Sequence, residues 1–122
     1  MDRLFPALGA LFGALGVAAG AFGAHALRAR LDPRALEVFQ TAAHYQMLHA
    51  LALFAVAWGM GCHPRWGAAA GGLFTAGILL FSGSLYGLAL GGPRWFGAVT
   101  PLGGVAFLLG WVCLGRAVLS CE

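Results

Sequence analysis

From Leu4 to Leu27 the chain carries no Asp, Glu, Lys or Arg, and three further apolar segments follow at roughly Gln40–Met60, Trp66–Leu90 and Val99–Leu119. A helix needs about 20 mostly apolar residues to cross the hydrocarbon core of a bilayer, and each segment is long enough. The seven basic residues, all arginine, and the four acids fall at or outside the segment ends. That distribution is expected where burying a charge in lipid is costly. Only 9% of the residues are charged and 61% are hydrophobic, whereas a soluble domain carries about 25% charged residues. The expected fold is all-α: an integral membrane four-helix bundle formed by residues 1–122 as a single domain. Its expected setting is a membrane, multi-pass, with the lipid bilayer as partner. The net charge of +3 comes with no lysine run or basic stripe, so nucleic acid is not an expected partner.

Local signals refine the edges. Arg3, the first apolar run and Ala24-His25-Ala26 imitate a signal peptide. The run exceeds the usual h-region of about 7–15 residues and further spans follow, so it reads as an uncleaved first span. Asp32 and Pro33 form an N-cap and first-residue pair that starts the second helix in the loop, and Thr100-Pro101 forms the same pair for the fourth. Trp66, Trp95 and Phe96 fall where an aromatic belt would lie. Four spans put both termini on one side of the membrane. Loops 1 and 3 carry Arg28, Arg30, Arg34 and Arg94 against Arg3, Arg65 and Arg116 opposite, a small excess that favours loops 1 and 3 inside. The cysteines Cys62, Cys113 and Cys121 show no metal-ligand spacing and read as small apolar or terminal residues. A disulfide between Cys62 and Cys121, both at helix ends on one side, stays open.

Glycines dominate helix 1. Gly9, Gly13, Gly16, Gly20 and Gly23 alternate gaps of four and three, which averages the period of a left-handed crossing seam. Lipid gives little hydrophobic reward for helix association, so glycine serves by letting backbones approach closely. These residues, with Gly83 and Gly104 further on, are the expected helix-packing positions. His25 projects to the opposite side of helix 1, on the line Ala7, Leu11, Ala14 and Ala18. Two small-residue faces predict a central helix 1 with two neighbours, one of them from this chain or a second copy. A homo-oligomer is compatible with that pattern.

Polar residues sort by face and depth. On helix 2, Gln40, His44, Met47, Leu51, Phe54 and Trp58 form a bulky face assigned to lipid. Ala42, Tyr45, His49, Ala52, Val56 and Gly59 form a smaller, more polar face assigned to the interior. On helix 3, Thr75, Ser82 and Tyr86 share a face. At 1.5 Å per residue, His49 and Ser82 lie about 12–14 Å below the interface. The expected polar cluster is therefore His25, Tyr45, His49, Ser82 and Tyr86, opening towards loop 1.

Four blocks, "GAFGAHAL" (20–27), "YQMLHALAL" (45–53), "LFSGSLYGLAL" (80–90) and "TPLGGVAFLLGW" (100–111), together resemble the family catalogued as domain of unknown function 423. These are small four-span inner-membrane proteins, among them bacterial YgdD-type members and the eukaryotic transmembrane protein 256. The resemblance covers nearly the whole chain. It implies a family pattern at Gly23, His25, Tyr45, Gln46, His49, Ser82, Gly83, Ser84, Tyr86, Pro101, Gly103 and Gly104. "LGG" at 90–92 departs from the Thr-Gly helix ending that the resemblance implies. The resemblance implies fold and membrane location and assigns no activity.

The lead expectation is a non-enzymatic membrane protein with a structural or accessory role, its polar cluster a hydrogen-bond network that sets helix register. No residue is assigned a catalytic or metal-binding role, and no cofactor is expected. Three alternatives use the same cluster. A haem or metal would take His25 and His49, although their depths differ and no carboxylate joins them. Proton-linked transport would rest on histidine, since no Asp or Glu lies inside a span. A lipid or quinone would be held by Tyr and His, with the loop-1 arginines nearby. Ser82 and Ser84 lack the context of a hydrolytic nucleophile.

Overall fold

The computed structural model describes residues 3–122, and every regular element among them is helical. Helix α1 spans Leu4–His25, α2 Pro33–Cys62, α3 Pro64–Gly77, α4 Gly83–Ala89 and α5 Phe96–Val118. A π-helical turn over Ile78–Ser82 joins α3 to α4, so Pro64–Ala89 forms one continuous span. Four helices are thus long and apolar enough to cross a membrane.

Capping sets several boundaries. Asp32 accepts a hydrogen bond from the Ala35 N–H at 2.8 Å, and Pro33 opens α2. His63 alone separates α2 from α3 in extended conformation, and its Nδ1 accepts from the Trp66 N–H at 3.3 Å. The resulting hairpin is so tight that a Cβ on Gly67 would lie 2.5 Å from the Met60 backbone nitrogen. Gly91, at φ +91°, ends the third span, and the Gly92 N–H donates to the Gly87 carbonyl at 2.7 Å. The "LGG" segment is therefore a glycine C-cap in the left-handed conformation.

The fourth helix departs from expectation. It starts at Phe96, and Pro101 lies inside it. The Thr100 hydroxyl does not cap it, donating instead to the Phe96 carbonyl at 3.2 Å and pairing with the Ser84 hydroxyl at 2.5 Å. A Thr-Pro pair marks a start only when nothing before it can wind. Here Trp95 and Phe96 already sit in a turn begun at Pro93.

Helix α2 is the centre of the bundle, which corrects the central place expected of helix 1. It packs against α1, α3, α4 and α5, burying positions from Phe39 to Gly59 around most of its circumference. In α1 only Phe5, Gly9, Gly16 and Gly23 are buried. Its second face, Ala7, Leu11, Ala14, Ala18 and His25, is exposed. The glycine seam itself forms against α2. A Cβ on Gly9 would lie 2.7 Å from the Ala50 carbonyl oxygen, one on Gly16 2.5 Å from Met47 Cγ, and one on Gly23 3.0 Å from the Phe39 ring. These three glycines lie a heptad apart, the spacing at which one stripe keeps facing its neighbour along a left-handed crossing. Gly13 is looser, its Cβ position 3.9 Å from Ala50 Cβ, and Gly20 has nothing within 4 Å.

The opposite half of the bundle is built from phenylalanines seated on glycines. Phe107 of α5 covers Gly77, Phe81 covers Gly103 and Phe74 covers Gly110, with Phe5 from α1 covering Gly71. Of the two glycines expected to pack outside helix 1, Gly83 has nothing within 4 Å and Gly104 only a distant Phe81 atom at 4.0 Å. Cys62 and Cys121 form a disulfide, Cα atoms 4.6 Å apart, which ties the end of α2 to the tail beyond α5. Cys113 is free and buried.

Candidate functional site

The π turn decides where the polar residues of the third span point. One extra residue in a turn rotates everything after it by about 100°. Ser82, the last residue of the turn, is buried and donates to the Ala42 carbonyl at 2.8 Å. One turn on, the Tyr86 hydroxyl donates to Gln46 Oε1 at 2.7 Å. Gln46 Nε2 in turn donates to the Phe12 carbonyl of α1 at 2.8 Å. That carbonyl is reachable because the residue one turn later is Gly16, whose missing side chain leaves room for the Gln46 and Met47 side chains. A hydrogen-bond chain thus runs α4–α2–α1 through the bundle.

His49 belongs to a separate group facing α5. Its Nδ1 lies 2.8 Å from the Tyr45 carbonyl, which can only accept, so Nδ1 carries the proton. Nε2 then accepts from the Trp111 indole N–H at 3.0 Å. The imidazole stacks on Phe107 with centroids 3.6 Å apart and planes 7° from parallel. Both nitrogens are engaged in a dry aromatic setting.

The expected cluster therefore divides. Ser82 and Tyr86 face the α1–α4 side, and His49 faces α5. Tyr45 packs on Phe81 at 4.8 Å between centroids but is 40% exposed, which corrects its interior assignment. His25 stands exposed at the end of α1, and the structure does not bring it to His49. No group of three or more His, Cys, Asp or Glu that could hold a metal occurs among the described residues.

Between α1 and the α3–α4 span lies a cleft of about 700 Å³, open to the surface where Leu15, Phe22, Leu79 and Leu90 are exposed. Phe12, Leu15 and Phe22 form its α1 wall, Leu79 and Leu90 the opposite wall, and Gln46, Ser82 and Tyr86 its polar floor. Gln46 is 5% exposed and donates one of its two amide N–H groups to the Phe12 carbonyl, while the second makes no hydrogen bond. In the sequence, Gln46 enters only with the family pattern. The residue-level signal was available: Phe39, Ala43, Gln46, Ala50 and Leu53 follow the helical i, i+3/i+4 stripe, with one amide set in an apolar row.

The family described as "Protein of unknown function (DUF423)" matches residues 19–104 of the chain. The UPF0382 membrane protein YwdK of Bacillus subtilis (strain 168) is 44% identical over 124 residues, covering 97% of this chain and 98% of the relative. The UPF0382 membrane protein SERP0230 of Staphylococcus epidermidis is 42% identical over 121 residues, 97% of each chain. A UPF0382 membrane protein of Haemophilus influenzae is 40% identical over 114 residues, covering 93% of this chain and 92% of the relative. No solved structure matches. The chain belongs to this family of membrane proteins.

Proposed function

For this DUF423 member we propose an accessory, non-catalytic role in the membrane, exercised by holding an amphipathic, membrane-resident molecule in the lateral cleft. The observation that carries this reading is the cleft's construction: apolar walls at membrane depth over a floor of Gln46, Ser82 and Tyr86. A hydrocarbon chain gains little by leaving lipid for an apolar groove. Selectivity then rests on the floor, where the spare Gln46 N–H suits a carbonyl oxygen and the Tyr86 oxygen can still accept from a hydroxyl. The ester of a lipid or the carbonyl of a quinone has that chemistry. None of the lining residues is Asp, Glu, Lys, Arg, His or Cys, which favours binding over acid–base or nucleophilic chemistry.

Gly83 provides the test. It lines the cleft, and a Cβ placed on it meets nothing within 4 Å. In Gly83→Trp the indole therefore enters the cleft without displacing the packed core. Native mass spectrometry of the protein released from nanodiscs should show about one retained amphiphile per wild-type chain and none in the variant, with unchanged melting. Equal retention in both proteins, or no retention by the wild type, would reject the reading.

A further inference from the structure

We infer that the start of α1, the α2–α3 turn and the tail beyond α5 face the oxidising, extracytoplasmic side of the membrane, so that the cleft opens in the leaflet on the reducing side. The first half stands on the disulfide and the topology. Cys62 is the last residue of α2, and Cys121 follows the end of α5. Their sulfurs are bonded, with Cα atoms 4.6 Å apart, inside the range of about 4.4–6.8 Å that a disulfide spans. Disulfides form and persist in oxidising compartments and are rare where glutathione and thioredoxin keep thiols reduced. Because four spans place the start of α1, the α2–α3 turn and the tail beyond α5 together, this one bond orients the bundle.

The chemistry requires that side. Forming the bond removes two protons and two electrons from Cys62 and Cys121. Thiol–disulfide exchange passes the electrons to an external disulfide, which leaves as two thiols. The oxidant is a disulfide of the oxidising compartment, carried by an oxidoreductase or a small molecule. Cys113, buried in α5 without a partner, is the contrast within one chain: only the two cysteines at the membrane surface are joined.

Charge leans the same way without deciding. Arg28, Arg30, Arg34 and Arg94 lie on the face away from the disulfide, with Arg3, Arg65 and Arg116 on its own side. The positive-inside rule alone weighs four against three, too close to decide. The disulfide breaks the tie in the same direction.

The second half rests on the cleft reading above. Tyr86 lies within one turn of the end of α4, and Phe22 and Leu90 line the cleft near the ends of α1 and α4, both on the loop-1 and loop-3 side. An occupant therefore enters from the cytoplasmic leaflet, with its polar group level with Gln46 and Tyr86.

Thiol labelling of the full chain in intact cells tests the orientation without reference to any ligand. Denatured without reductant, the wild type should take one bulky maleimide, on Cys113; after reduction it should take three. In intact cells the membrane-impermeant reductant TCEP should make Cys62 and Cys121 available to an impermeant maleimide. Ala29→Cys, placed in the exposed turn after α1, should label only after permeabilisation. Three reactive thiols before reduction would overturn the proposal, as would labelling of Ala29→Cys in intact cells. A correct orientation combined with an empty wild-type cleft in native mass spectrometry would leave the topology standing and reject the ligand alone.

Discussion

The two sides of α2 are packed by different rules. Towards α3 and α5 the bundle is interlocked: Phe74, Phe81 and Phe107 each sit on a glycine of the facing helix, and His49 and Trp111 close the same interface with a hydrogen bond. Towards α1 there is one glycine seam and one amide arm, and beside them the cleft. In its most apolar window α1 is 22% buried, against 28% in α5 and 39% in α2 and in the α3–α4 span. In a membrane, where dispersion and close fit replace the hydrophobic drive between helices, this contrast separates a three-span body whose helices interlock from a wall attached along one face. The body sets the cleft's floor, and the wall sets its width.

The sharpest way to break that contrast is to overfill each interface. In Gly103→Leu the added carbons run into the Phe81 backbone, which cannot give. The loss should be about 3 kcal/mol or more, enough to abolish the folded protein in detergent unfolding. Gly9→Leu meets the Ala50 carbonyl oxygen and should cost about 2–3 kcal/mol. Its effect should be partial: α1 detaches while the near-ultraviolet dichroism of Trp111 in the body persists. Equal, global collapse in both variants would remove the distinction.

A smaller effect sharpens it. Gln46→Leu deletes the arm between Tyr86 and Phe12 and should cost about 1–2 kcal/mol, because interhelical hydrogen bonds in membranes average about 0.6 kcal/mol each. Retention of amphiphile should fall more than stability does. The smallest effect is expected at Gly20, where a Cβ meets nothing within 4 Å. Gly20→Ala should shift stability by no more than about 0.5 kcal/mol in thermal unfolding.

Legibility in the sequence followed the same division. The four spans, the Asp32-Pro33 start of α2 and the seam glycines Gly9, Gly16 and Gly23 depend on local pattern, and all can be read from the chain. The Phe-on-Gly pairs require the relative register of two helices far apart in sequence, which no periodicity within one helix contains. Small residues on both faces of α1 made it look central, but smallness permits close approach without supplying a neighbour. The polar residues were legible as inhabitants of the spans. Their grouping was not, because the π turn at Ile78–Ser82 re-aims Ser82 and Tyr86, and an even α-helical wheel hides that rotation.

Distances between spin labels in nanodiscs distinguish a wall attached along one face from a helix locked into the body. Leu11 on α1, Leu51 on α2 and Leu108 on α5 are all exposed, so labels there leave the packing intact. In a Cys113→Ala background, double electron–electron resonance should give a narrow distribution for the 51–108 pair in all conditions. The 11–108 pair should be broader and should narrow when the cleft is filled, as in Gly83→Trp. Equally narrow distributions for both pairs, unchanged by filling the cleft, would mean that α1 is held as firmly as the other three spans.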